Sequence, residues 1–423
     1  MNYQSLSVAE LSAERDRLQA AHREFCSHGL SLNMARGKPS PTQLDLSAAF
    51  LGAPHTHLSA TGTDCRNYST LNDLPETAAL FAELLGVPED YIIVGGNSSL
   101  NLMYDTLCRM LLFGTLGSEP WVHNTQRKFL CPAPGYDRHF AVTEALGFEL
   151  ITIPMTETGP DMDLVERLVA EDENIKGIWN IPLYSNPGGV VYSDETVERL
   201  ARMKTAAPDF RIMWDNAYGV HHLYEPVALR DIFEACEQAG NLDRVFYFFS
   251  TSKVSFPGGG VAMMAMSPAN KEEALRRISI QTIGADKLNQ LRLLHNLPTA
   301  EAVHAHMRKQ ADLLRPRFEE VLTTLERELG DSGLAHWNSP RGGYFISVDV
   351  LPGCAKRVVA LAREAGVTLT GAGATFPYKK DPKDSNIRLA PTYPGIEELR
   401  QAVDLFCLCV KLAGAEKLLA EAQ

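Results

Sequence analysis

The chain is short of positive charge, of paired cysteines and of long apolar runs. Its 40 Lys and Arg face 52 Asp and Glu, leaving a net charge of −12. That balance lacks the basic face a nucleic-acid partner demands, so none is expected. No stretch approaches the ~18 consecutive apolar residues of a membrane span, so no membrane partner is expected either. The start, MNYQSLSVAELSAERDRL, has no basic segment leading into an apolar one. A secretory signal is therefore not expected, and a cytoplasmic location is. Eight cysteines (Cys26, Cys65, Cys108, Cys131, Cys236, Cys354, Cys407 and Cys409) form no CxxC pair and have no histidines at zinc spacing. Reduced core thiols follow, with neither a metal site nor a disulfide framework. The two phosphate fingerprints, GxxxxGK[ST] and GxGxxG, are missing as well.

What is present suits a large globular protein. The 423 residues, 45% of them hydrophobic, supply two to three domains with ample core. Ser7 and Glu10 fit a capping box, Leu11, Leu18 and Phe25 give an apolar face, and Gly29 can end the helix. Residues 30–66, rich in Pro, Gly, Ser and Thr, read as an extended arm. Seven short apolar runs follow: YIIV (91–94), KFLCPA (128–133), ELITIP (149–154), IKGIWNIP (175–182), RIMWDN (211–216), RVFYFFS (244–250) and GVAMMAM (260–266). Helical patterns lie between most of them. Buried strands alternating with helices predict an α/β domain with a mainly parallel sheet, whose ligands sit beyond the carboxyl ends of its strands. From about residue 300, long helices surround one probable strand, GGYFISVDV, as in a smaller α+β domain.

Four polar strings fall just after strands. In FFSTSKVSFPGGG (248–260), Lys253 sits beside Ser250 and Ser252. A lysine at an apolar strand end can have a lowered pKa and act as a Schiff-base nucleophile; a solvated loop lysine is the plain alternative. In IPLYSNPGGV (181–190), Asn186 offers an amide, although turn chemistry alone explains most NPGG strings. In RIMWDNAYGVHH (211–222), Asp215 ends a strand where an unpaired carboxylate is costly, and Tyr218 follows three residues on. In YIIVGGNSSLNLM, Gly96, Asn97 and Ser98 open a helix whose N–H groups can hold a phosphate, or which a side chain simply caps.

Their order resembles the fold-type I pyridoxal-phosphate enzymes, in particular the class I aminotransferases, over nearly the whole chain. ARGKPSP, NPGG and STSKVSFPGGG are similar to the class Ic aspartate aminotransferase subgroup. The resemblance implies a seven-stranded large domain over 67–300, completed by a small domain from 1–66 and 301–423. It implies pyridoxal 5′-phosphate as cofactor and amino-acid and 2-oxo-acid substrates, with L-aspartate and 2-oxoglutarate exchanged in a ping-pong cycle. Lys253 matches the lysine that binds the cofactor and moves the substrate proton. Asp215 matches the carboxylate on the pyridine nitrogen, and His139 a histidine that orients it. Asn186 and Tyr218 match donors to the phenolic oxygen, and Tyr136 the stacked aromatic. Gly96, Asn97, Ser98, Ser250 and Ser252 match the phosphate cradle. Tyr68 matches a tyrosine that reaches the partner's phosphate in a homodimer. Arg388, in SNIRLAP, matches the clamp for the α-carboxylate, and Gly37 a glycine that approaches the substrate.

One departure stands out. Many class I enzymes carry an arginine seven or eight residues after the lysine, where this chain has Gly260 and Val261. Lys287 is the expected substitute. For the distal carboxylate, Arg36 and Arg138 are the candidates. Transamination of alanine or aromatic amino acids, a cofactor-binding regulator and a nucleotide-binding module are the alternatives. The regulator needs a DNA-binding module that one N-terminal helix does not supply.

Overall fold

The computed structural model describes residues 1–68, 71 and 74–422. The seven apolar runs form strands β1 (Ile92–Val94), β2 (Lys128–Ala133), β3 (Glu149–Thr156), β4 (Ile175–Asn180), β5 (Arg211–Asp215), β6 (Val245–Ser250) and β7 (Ala262–Met266). They pair in the order β1-β7-β6-β5-β4-β2-β3, and a two-residue strand, Gly159–Pro160, adds an eighth at the β3 edge. Every pairing from β6 through β3 is parallel. Strand β7 runs against both its neighbours, and the short edge strand runs against β3, so the sheet is mixed at both ends.

The continuous apolar runs have a direct cause: both faces of this sheet are covered. Along β6, Val245, Tyr247 and Phe249 pack into one core cluster, whereas Phe246 and Phe248 pack into another. Met213 and Trp214 of β5 divide the same way. Burying each such apolar side chain is worth roughly 1.5–3 kcal/mol. At the amino ends, Lys176 and Asp209 form a buried ion pair at 2.9 Å, and Trp121 Nε1 donates to the same carboxylate at 2.8 Å.

The smaller lobe is built on a three-stranded antiparallel sheet, β8 (Ala335–Trp337), β9 (Ile346–Val350) and β10 (Asn386–Leu389), in the order β8-β9-β10. Three helices supply much of its core: α1 (Val8–Ser27), Ala355–Glu364 and Ile396–Glu421. Helix α1 starts on the expected Ser7–Glu10 capping box, and Gly29, at φ +64°, lies just past its end. Helix Ala300–Leu329 serves both lobes: Val303 and Met307 pack into the core under the large sheet, Leu314 and Phe318 into the small one. Pro316 lies inside it, close to that change of partner.

The arm is less extended than its composition predicts. Ser40 caps a short helix, Pro41–Asp45, with a capping box, and a 3₁₀ turn covers Ala48–Leu51. Local side chain–backbone bonding by Ser40 and Gln43 outweighs the bias of Pro and Gly. Phe50 then packs into the large-lobe core. All eight cysteines are free thiols, and Cys26 alone among them is exposed. Among the described residues, no helix is long and apolar enough to cross a membrane.

Candidate active site

Strands β4, β5 and β6 end together, because Asn180 is in register with Trp214 and Asp215 with Phe248. The three strings that follow them, around Asn186, Tyr218 and Lys253, are thereby gathered at one sheet edge. Asp215 and His139 are each only 2% exposed, and His139 Nε2 lies 2.8 Å from Asp215 Oδ2. The imidazole is held flat against Trp179, with ring centroids 4.2 Å apart and planes 9° apart. Its edge meets Tyr136 at 5.0 Å. The other oxygen, Asp215 Oδ1, is buried with no hydrogen-bond partner among the described residues. A buried carboxylate oxygen without a donor is costly, so the site is shaped for a group that brings an N–H there.

Lys253 follows β6 in a short 3₁₀ turn. Its Nζ lies 4.8 Å from the centre of the Tyr218 ring and 5.9 Å from that of Tyr344. The residue is only partly exposed. Burial, opposed by Asp215 and helped by Arg388, lowers its amine below the ordinary lysine value. Burial likewise pushes Tyr136 up to about 12 and Tyr218 well above the usual tyrosine value, so both hydroxyls keep their protons at neutral pH.

Arg388, on β10, crosses from the small lobe and is 7% exposed. Its Nη1 donates to Asn186 Oδ1 and to Asp137 Oδ1, both at 3.2 Å. The guanidinium lies 4.6 Å from the Phe345 ring centre, and its Nε is buried without a hydrogen-bond partner among the described residues. Gly37 packs against that same ring. A Cβ there would come within 2.4 Å of Phe345 Cζ, so any larger residue would have to push that ring aside.

The residues expected to hold a phosphate are also brought together. Helix Ser99–Phe113 begins without a side-chain cap, so the plain reading of Asn97 or Ser98 as a capping residue does not hold. The backbone N–H groups of Gly96, Asn97 and Ser98 have no protein acceptor among the described residues. Ser250 Oγ and Ser252 Oγ both donate to Asn97 O, at 2.8 and 2.7 Å, and so fix this loop to the lysine turn. Either hydroxyl must rotate to reach an anion. At Gly260 a Cβ would lie 2.7 Å from Ser252 N and Cα, so that position, the first of the two where the arginine is absent, is closed to a side chain.

The remaining candidates divide. Lys287 is buried at the start of helix Lys287–Asn296 and lines a cavity of about 690 Å³ with Cys65, Arg66 and Tyr68. Its helix reaches the lysine loop through Asn289, whose Nδ2 donates to Gly260 O at 2.9 Å. Tyr68 is 82% exposed. Arg36 and Arg138 are exposed, beside Gly37 and Asp137. The sequence reading missed Trp179, Tyr344, Phe345 and Asp137. The first three look like ordinary core aromatics. Asp137 carried the one available signal, an acidic residue in the first turn of a helix between Tyr136 and His139.

The family model of the aspartate amino-transferases matches residues 6–422. A Mycolicibacterium smegmatis protein named as an aminotransferase is 47% identical over 430 aligned residues, covering all of both chains. An aspartate aminotransferase of Corynebacterium glutamicum is 44% identical, covering 97% of each chain. The crystal structure of an aspartate transaminase from Corynebacterium glutamicum superposes with a TM-score of 0.97 at 43% identity, covering 99% of each chain. The chain belongs to the aspartate aminotransferase family and is a fold-type I aminotransferase.

Proposed function

We propose that this enzyme binds pyridoxal 5′-phosphate and transfers the amino group of L-aspartate to 2-oxoglutarate, giving oxaloacetate and L-glutamate. The observation that carries this reading is Asp215 Oδ1, buried without a hydrogen-bond partner among the described residues and near enough to Lys253 for its charge to act on that amine. Bound there, the cofactor supplies an electrophilic carbon and an electron-withdrawing ring. Asp215 would hold its ring nitrogen, with His139 fixing the carboxylate. Tyr218 and Asn186 would donate to its phenolic oxygen. The open N–H groups of Gly96 to Ser98 would hold its phosphate, with Ser250 and Ser252.

Within this site Lys253 Nζ would accept the proton from the substrate Cα and hold it for return. A depressed pKa keeps more of the amine neutral for that role. Arg388 holds the α-carboxylate, because its planar fork matches two oxygens. Arg36 and Arg138, both exposed and in no ion pair among the described residues, serve the distal carboxylate. Tyr68 and Lys287 share one cavity, which supports a homodimer in which this surface completes the partner's site. Eight free thiols favour work in the reducing cytoplasm.

The test is turnover. Oxaloacetate formed from L-aspartate and 2-oxoglutarate is read through NADH consumption by added malate dehydrogenase. Absence of oxaloacetate, with L-alanine or an aromatic amino acid consumed instead, rejects the substrate pair. Loss of all turnover in Lys253→Ala is expected, and retained turnover rejects the site.

A further inference from the structure

Asp137 is not explained by the chemistry above. It is the first residue of helix Asp137–Ala145, and its Oδ1 accepts from Arg388 Nη1 at 3.2 Å. A carboxylate therefore already rests on the guanidinium assigned to the substrate's carboxylate. Three features make that contact displaceable. Its length exceeds the ~2.7–2.9 Å of a tight charge-assisted bond. The Asp137 side chain keeps 39% of its surface in solvent, so it has somewhere to go. Arg388 has not: it is buried at 7% exposure, lies over Phe345 and also donates to Asn186, itself 4% exposed. When a second carboxylate arrives, the mobile partner is the aspartate. The helix N-terminus still favours its charge after it leaves the guanidinium.

We propose that Asp137 is an internal competitor for the substrate carboxylate at Arg388. It satisfies the buried guanidinium when the site is empty, and every carboxylate substrate must displace it. Asp137 thereby sets how tightly substrates bind, without taking part in proton transfer. The proposal rests on reading Arg388 as the carboxylate clamp.

The experiment compares the holoenzyme with Asp137→Asn and Asp137→Ala. It measures KM and kcat for L-aspartate, and the Kd of maleate, a dicarboxylate that cannot react. The expected result is a fall in both KM and Kd of about three- to tenfold, the range open to a half-exposed charge pair, with kcat within about twofold. A residue that merely orients Arg388 gives the opposite sign. Unchanged or weaker maleate binding in both variants overturns the proposal. Arg388→Ala tests the clamp separately. If it leaves maleate affinity untouched, the clamp reading falls and the proposal with it. If it abolishes binding while Asp137→Asn changes nothing, only the competitor falls.

Discussion

The contact between His139 and Asp215 permits a sharp experiment, because two properties of one imidazole can be removed separately. The ring stacks on Trp179 at 4.2 Å, and its Nε2 meets Asp215 Oδ2 at 2.8 Å. His139→Phe keeps a flat ring on the tryptophan and removes the nitrogen. His139→Gln gives up the stack but carries an amide nitrogen near the place of Nε2. Among the described residues, His139 is the side chain bonded to the Asp215 carboxylate, and Oδ1 has no hydrogen-bond partner. The phenylalanine variant therefore leaves a carboxylate at 2% exposure without a protein donor. Hydrogen bonds to charged groups contribute about 1.5–3 kcal/mol. At about 1.36 kcal/mol per factor of ten, that is roughly a ten- to hundredfold loss. The assay is a stopped-flow half-reaction of the holoenzyme with L-aspartate. His139→Phe is expected to lose that factor in rate, whereas His139→Gln stays within about fivefold. The reverse order would show that the stack, not the hydrogen bond, is what the site needs.

Three further outcomes follow from the same geometry. Lys253 has a folded-state pKa below its unfolded value, so between the two the unfolded chain binds the extra proton and stability rises with pH. Apoprotein carrying Lys253→Met should gain stability over wild-type apoprotein near neutral pH, with the gain shrinking toward the unfolded lysine value. Urea midpoints across pH check this, and a pH-independent difference contradicts it. Gly37→Ala drives a methyl into Phe345, which underlies Arg388, so KM for both substrates should rise several-fold while the melting temperature moves little. Unaltered KM would mean the ring yields without disturbing the arginine. Asp209→Asn breaks the buried pair with Lys176 and should cost about 3–5 kcal/mol in urea unfolding with kcat unchanged. A loss below about 1 kcal/mol would contradict the assigned burial.

The sequence by itself determined the strands of the large sheet, because a sheet covered on both faces writes itself as unbroken apolar runs. It also determined the order of the chemical groups, since each polar string ends such a run. The Ser7–Glu10 cap was legible for the same reason: it is local, made within four residues. Tertiary structure decided everything that joins distant segments. Asp137 and Arg388 are 251 residues apart and meet only because the two lobes pack together. Gly37 reads in the sequence as a glycine for the substrate, and the fold sets it against the Phe345 ring. The reversed direction of β7 was equally invisible, since a fully buried strand has the same composition in either direction. Lys287 was chosen by charge alone, and the fold sets it beside Tyr68. Periodicity records which side chains leave water. Which of them then meet is fixed by how the helices and sheets pack, and only the folded chain carries that.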